Sequence, residues 1–365
     1  MKRRHPTLLF LLLAVGLVVI GGLAFLFGNS VSSQTPNRNL NTNRPGRPSR
    51  TAIQLPKPTP TPEAPLDVVK VDTDLVKVDA LVMDKNTARV VGGLNREDFL
   101  LYEDGAPQEI THFSTDQLPL SVMLLIDRSG CLDPYSDEVH RAAREAIDRL
   151  KLVDEIAVMA YHTKTELIQP FTTNRMLLEE ALNRIPPQDE TGGHCLNTVF
   201  DYAAKYMMKA GNPAGRRVII VISGVTRSFD CPDSPSGKSA AQTIYESGTV
   251  VCAIVPKTAG QSLENAAMTT VTRALKVGAV DYMDIRTLAN ETGGEVLEDE
   301  PKKLETTFQT LIDHLRSRYN LAFVSTNKNR DGTTRKLRLD LTPAIQNSKG
   351  KMVIRARRSY IAPRS

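Results

Sequence analysis

Four short runs of nearly unbroken apolar residues, Ser121–Asp127, Ile156–Tyr161, Arg217–Ser223 and Thr249–Val255, limit what this chain can fold into more than any other feature. Each has the length of a strand and none alternates, so both faces of each strand must be covered. The segments between them carry helical periodicity instead. Val139, Ala143, Ala146, Ile147 and Leu150 fall on one face of a helix, as do Leu304, Phe308, Leu311, Ile312 and Leu315 after Pro301 at a first-turn position. Thr287–Val296 reads as a helix end stopped by glycine and followed by a strand. Buried strands alternating with amphipathic helices predict an α/β fold, a Rossmann-like, doubly wound, mostly parallel sheet with helices on both faces.

The flanks read differently. From Asp67 to Phe113 apolar and polar residues alternate, with turn chemistry at Asp84-Lys-Asn86 and Gly92-Gly93, which predicts a small antiparallel β unit with one buried face. Tyr319–Ser325, Lys336–Leu341 and Met352–Arg357 read as three more strands, with Asp331-Gly332 as a turn between the first two. Neither flank has enough strands to bury a stable face alone, so the two are expected to pack together as one β module.

The amino-terminus has a different composition again. Lys2, Arg3 and Arg4 precede an uncharged apolar run from Leu8 to Phe27, which as a helix would span roughly the 30 Å of a bilayer core. Positive charge ahead of the run predicts a single-pass anchor with its amino-terminus inside and the bulk of the chain outside the cytoplasmic membrane, periplasmic in a Gram-negative cell. A cleaved signal peptide is the rival reading, but Phe25–Ser30 offers no clean small-x-small cleavage site. Residues 29–65, rich in Asn, Thr, Ser and Pro and basic until Glu63, read as a disordered, extended linker. The expected organisation is therefore a cytoplasmic tip and anchor over 1–28, a linker over 29–65, an N-terminal β module over 66–117, an α/β domain over 118–316 and C-terminal strands over 317–365. The formal net charge is only +5 and part of it lies in the tail and linker, so no basic stripe suggests nucleic acid as a partner. The absence of Trp argues against a stacking platform.

Motifs within these elements resemble a known family. A buried strand ending in Asp127-Arg-Ser129, a later Gly192-Gly193 loop opening a helix and a third strand ending in Ser223 resemble the von Willebrand factor type A domain. Val78-Asp79, Leu94–Phe99, Tyr102–Gly105, Pro119-Leu-Ser121, Leu315–Tyr319 and Arg355–Tyr360 are similar to an acidobacterial subfamily of such proteins. The resemblance runs from about Val69 to Pro363. It implies a site at the carboxyl ends of the strands that binds magnesium and leaves one position for a partner's carboxylate.

Magnesium requires near-octahedral oxygen ligation, which the family supplies from an Asp-x-Ser-x-Ser loop, a Thr loop and an Asp loop. Here Cys131 stands for the second serine, and a thiol suits magnesium poorly. Ungapped alignment puts His194 at the Thr position, with Thr198 available if the loop is longer. Ser223-Gly224-Val225 replaces Ser-Asp-Gly. Asp127 and Ser129 alone keep the family's oxygens, so no metal and no cofactor is expected. Asp127, Ser129, Cys131, His194, Thr198 and Ser223 remain as a ligand-binding face. The bland alternative for Asp127 is a structural carboxylate that caps a helix or pairs with Arg128 or Arg227.

Two functions from different classes follow. The first is a non-enzymatic adhesion or interaction module that meets an unknown protein or cell-envelope polymer. The second is a thiol- or zinc-dependent enzyme using Cys131, His194, Cys195 and Cys231, although adjacent His194 and Cys195 suit one tetrahedral ion badly. Gly237-Lys238-Ser239 lacks the first glycine of a phosphate-binding loop and is a false match. His112, His140, His162 and His314 read as surface or strand-end residues, and Asn290-Glu-Thr292 as a sequon with meaning only in a eukaryote. An oxidising compartment favours cysteine pairing. Cys252 lies inside an apolar strand and is expected to be a buried thiol, which leaves Cys131, Cys195 and Cys231. Cys195 with Cys231 is the preferred pair, because the long loop from Arg227 to Ser236 needs an anchor; Cys131 with Cys231 stays open.

Overall fold

The computed structural model describes residues 75–130, 132–188, 193–213, 215–229, 231–257 and 282–364. The expected anchor and linker, and Cys131, lie outside the described residues. Among those that are described, no helix is long and apolar enough to cross a membrane.

The chain begins with β1 (Leu75–Asp84), β2 (Phe99–Glu103), β3 (Ala106–Gln108) and β4 (Ile110–Ser114). The α/β part follows as β5 (Leu120–Asp127), α1 (Ser136–Arg149), β6 (Glu155–Tyr161), β7 (Thr165–Thr172), α2 (Arg175–Asn183), α3 (Leu196–Met207) and β8 (Arg216–Ile222). It continues with β9 (Arg227–Phe229), α4 (Gly237–Ser247), β10 (Val250–Pro256), β11 (Tyr282–Asp284), α5 (Ile285–Thr292), β12 (Val296–Asp299) and α6 (Leu304–Arg316). β13 (Tyr319–Val324), β14 (Thr334–Leu341), α7 (Pro343–Lys349), β15 (Met352–Arg355) and β16 (Ser359–Ile361) complete it.

The central sheet has the order β12-β10-β8-β5-β6-β7. Its first five strands are parallel and β7 is an antiparallel edge. All eight residues of β5 are buried, because each face of the sheet is covered. Leu124, Ile126, Val158 and Ile220 pack against Ala143, Ile147, Phe308 and Leu311 of α1 and α6. Met123, Leu125, Met159 and Val221 pack against Phe200, Ala204 and Ile244 of α3 and α4. Burying one such aliphatic side chain contributes about 1.5–3 kcal/mol. Gly237-Lys238-Ser239 opens α4, where the Ser236 hydroxyl accepts the Ser239 amide at 3.2 Å, so this triplet is a helix cap.

Two four-stranded sheets, β15-β1-β13-β4 and β16-β14-β2-β3, are built from both flanks of the chain. β1 pairs antiparallel with β13 from Leu75↔Val324 to Ala80↔Tyr319, and β14 pairs with β2. Val78, Leu101, Phe323, Leu337 and Tyr360 share one core between the two sheets. The Asp331-Gly332 turn does not form the expected hairpin, since β13 and β14 belong to different sheets and the turn carries the chain from one to the other. The hairpin signal that does act is Asp104-Gly105, both at positive φ, between β2 and β3.

A buried guanidinium ties the first of these sheets to the central one. Arg216, 3% exposed at the start of β8, donates to Asp79 of β1 at 2.9 Å and to Asn320 of β13 at 2.7 Å. Burial pushes the Asp79 carboxyl up, but the Arg216 guanidinium outweighs this and holds it below the usual carboxylate range. Arg316 pairs with Asp154, whose Oδ1 accepts the Leu120 amide at 2.8 Å. His314 corrects the expectation of a surface histidine, because it is buried on α6 with Nδ1 2.9 Å from Glu295 Oε1.

Gly293 ends α5 in the left-handed region at φ +79°, and a Cβ on Gly294 would lie 1.9 Å from the Val251 carbonyl oxygen. That contact is to backbone and cannot be relieved by a rotamer change. Gly294→Ala is therefore expected to destabilise the fold by about 3 kcal/mol or more. Urea unfolding would show this as a lower midpoint at unchanged slope.

Candidate functional site

β5 ends in Asp127 at the carboxyl edge of the parallel sheet, with its side chain fully buried. A carboxylate removed from water must be satisfied by donors at once, and here five protein groups do so. Oδ1 accepts the Ser129 amide at 3.0 Å and the Ser129 hydroxyl at 2.5 Å. Oδ2 accepts the Ser223 hydroxyl at 2.9 Å and the Gly224 amide at 3.3 Å, and His194 Nδ1 lies 3.0 Å away. His194 Nδ1 is also 2.7 Å from Ser129 Oγ. A proton on Nδ1 shared between Asp127 and Ser129 closes this network, with the Ser129 hydroxyl free to donate to Oδ1.

A carboxylate offers about four lone-pair positions, so five donors leave Asp127 no acceptor capacity. Burial alone would raise its pKa; the hydrogen bond and charge of His194, with the Ser129 donors, hold it below the ordinary value. Magnesium would need a carboxylate oxygen at about 2.0–2.1 Å and further hard oxygens around it. Here an imidazole nitrogen and a backbone amide face that oxygen instead. The residues present do not fit a magnesium ion. Among the described residues no cluster of three or more His, Cys, Asp or Glu is arranged to hold a metal.

The structure thus brings together Asp127, Ser129, His194 and Ser223. Thr198 stands apart from them in bonding, its Oγ1 committed to Ser234 Oγ at 2.6 Å. Arg227 donates to Asp284 at 2.7 Å. Cys195, immediately before α3, is bonded to Cys231 with Cα atoms 5.5 Å apart, the preferred pairing of the two left open. Two of the three thiols of the Cys/His cluster are thus consumed in a disulfide, and His194 is held by Asp127 and Ser129. Cys252 is the buried thiol expected, with burial pushing its pKa up to about 12.

Sequence reasoning missed three contributors. Gln188 accepts the Gly130 amide at 3.1 Å, and its Nε2 lies 3.4 Å from the Asp127 carbonyl oxygen, closing the loop after β5. Gly224 contributes its amide where the family places an aspartate. Asn197, fully buried on α3, donates to the Pro235 carbonyl at 2.6 Å and so fixes the loop that carries Cys231. Only the Ser-Gly-Val sequence signalled the second; a glutamine or asparagine beside a loop carries no pattern of its own.

Two outcomes are expected. Peptide mapping without reduction should yield a linked pair containing Cys195 and Cys231, and replacing both with Ala should lower stability by up to about 4 kcal/mol, as closing a 36-residue separation implies. Asp127→Asn replaces one acceptor oxygen with an amide donor that faces donors in the core, and should cost about 3 kcal/mol at pH 7. Because the folded pKa of Asp127 lies below its unfolded value near 4, its contribution is present above that pH and fades as pH falls through the folded pKa. Urea unfolding between pH 7 and pH 3 should therefore show a flatter acid limb for the variant.

Residues 122–226 match the family model described as von Willebrand factor type A domain. No curated protein matches the chain. Solved structures similar to it include an aerotolerance-related membrane protein from Bacteroides fragilis, 14% identical, covering 54% of this chain and 98% of that one with a TM-score of 0.39. BatB from Bacteroides thetaiotaomicron is 15% identical, with 54% and 98% covered and a TM-score of 0.39. Proximal thread matrix protein 1 from the mussel byssus is 13% identical, with 56% of this chain and 49% of that one covered and a TM-score of 0.41. Asp127, Ser129, His194, Cys195 and Ser223 all lie within the segment that matches the von Willebrand factor type A domain.

Proposed function

We propose that this chain is a membrane-anchored, extracytoplasmic interaction or adhesion module whose type A domain has a degenerate metal site and binds its partner without a bridging ion. The carrying observation is the saturation of Asp127 by Ser129, His194, Ser223 and Gly224, which leaves no oxygen for a metal to share with a partner's carboxylate. The loss of the second hydroxyl at Cys131 and of the aspartate at Gly224 supports the same reading. The partner is a protein or an envelope polymer, held by the loops at the carboxyl edge around Ser129, His194 and Thr198. The disulfide between Cys195 and Cys231 supports an oxidising location, and the apolar run from Leu8 to Phe27 behind Lys2, Arg3 and Arg4 supports an inside-amino-terminus anchor. The subfamily resembled by Leu94–Phe99 and Arg355–Tyr360 is part of this proposal.

A ligand raises the melting temperature only by binding the native state. Millimolar magnesium or manganese should accordingly shift it by less than about 1 °C. A saturable upward shift that disappears in Asp127→Ala would refute the degenerate site. Crosslinking from native membranes should capture the same partner with and without chelator; capture lost on chelation and restored by magnesium would do the same.

A further inference from the structure

A recess of about 640 Å³ opens at the opposite end of the sheet from Asp127. Arg216 and Arg217 begin β8 there, while Asp127 lies past its far end, so the two places are separated by roughly 20 Å of strand. The carboxyl end of α4, the start of β1 and the loops before β14 and after β16 complete the wall. Eight Lys or Arg side chains line it against two carboxylates, Asp79 and Glu246. Both acids are engaged: Asp79 holds Arg216 at 2.9 Å, and Glu246 lies 4.0 Å from Arg364.

Some of the cations are also committed to the protein. Arg335 is held by Glu103, Tyr360 and backbone carbonyls, and Arg217 donates to the Ser247 carbonyl at 3.1 Å. Lys77, Lys328 and Arg357 are different, since none of their side chains makes a hydrogen bond or ion pair with a described residue. Arg357 is partly buried, its Nη2 is 3.8 Å from where a Gly248 side chain would begin, and burial lowers its pKa against the distant pull of Asp79. A guanidinium drawn out of water without a partner is costly, and the pairing it favours is a bidentate one with a carboxylate or phosphate. Leu75, Val76, Pro213 and Ala362 add apolar surface between the charges. The volume falls within the roughly 300–1,000 Å³ of small-ligand sites.

We propose that this recess binds a small soluble anion bearing two or more phosphate or carboxylate groups, held by Arg357 at its base and by Lys77 and Lys328 at its mouth. This is independent of the reading of Asp127. Calorimetric titration of the full chain in detergent, with pyrophosphate and with citrate as probes at fixed ionic strength, tests it. Saturable binding of one equivalent of either probe is expected, weakened tenfold or more by Arg357→Gln and several-fold by Lys328→Gln. It should be unchanged by Asp127→Ala and by Lys302→Gln, which removes an exposed lysine elsewhere. Should Arg357→Gln fail to fold, Lys77→Gln and Lys328→Gln, both at exposed positions, carry the comparison. No saturable binding of either probe at millimolar concentration overturns the proposal, and so does equal weakening by Lys302→Gln, which would mark bulk charge attraction.

Discussion

The burial of β5 on both faces is the constraint from which the rest of the structure follows. With every residue from Leu120 to Asp127 removed from water, the backbone must pair with β6 and β8, and the side chains must meet helices above and below. Polar chemistry is thereby expelled to the two ends of the strand. At the carboxyl end the sheet stops on Asp127, still inside the protein, and the loops must bring donors to it. Ser129, Ser223 and Gly224 reach it from the ends of β5 and β8, and His194 from the turn before α3.

The two ends of the sheet solve their charge problem in opposite ways. At the carboxyl end one carboxylate is enclosed by neutral or shared-proton donors, and the disulfide from Cys195 to Cys231 holds the flanking loops in place. At the amino end, Arg216 of the central sheet pairs with Asp79 of the flanking β1, and Arg316 at the end of α6 pairs with Asp154 ahead of β6. Both pairs cross elements far apart in sequence, and the first is formed only when β1 has docked on the central sheet. Removing one partner leaves the other buried and unpaired, which costs more than the pair itself contributes. More cations than acids gather at this end, and Arg357 is left facing a recess.

The site differs from a metal-binding one through few residues. Replacing an aspartate by Gly224 removes a hard ligand and supplies an amide, while His194 puts a nitrogen donor beside the remaining carboxylate. Each change converts a place for a cation into a hydrogen bond within the protein. On the proposed reading the loops keep the arrangement of the fold without a place to share an ion.

The strands β5, β6, β8 and β10 were legible in the sequence because burial on two faces leaves unbroken apolar runs that no turn or helix can use. The helical stripes of α1 and α6 were legible for the same reason, since Val139, Ala143, Leu304 and Phe308 repeat at the helical period on a face the sheet must cover. Asp127 and Ser129 could be located because they end such a run, and Cys252 because it lies within one. The sequence left Thr198 and His194 as rivals, since a gap in a loop has no periodicity to fix it; only the folded loop sets His194 against Asp127 and turns Thr198 to Ser234. Likewise the edge strands β7 and β16 carry no strong pattern, and the pairing of β1 with β13 joins residues more than two hundred positions apart. Local pattern records which side chains must leave water, but which donor meets which acceptor across such distances is decided only when the whole chain has packed.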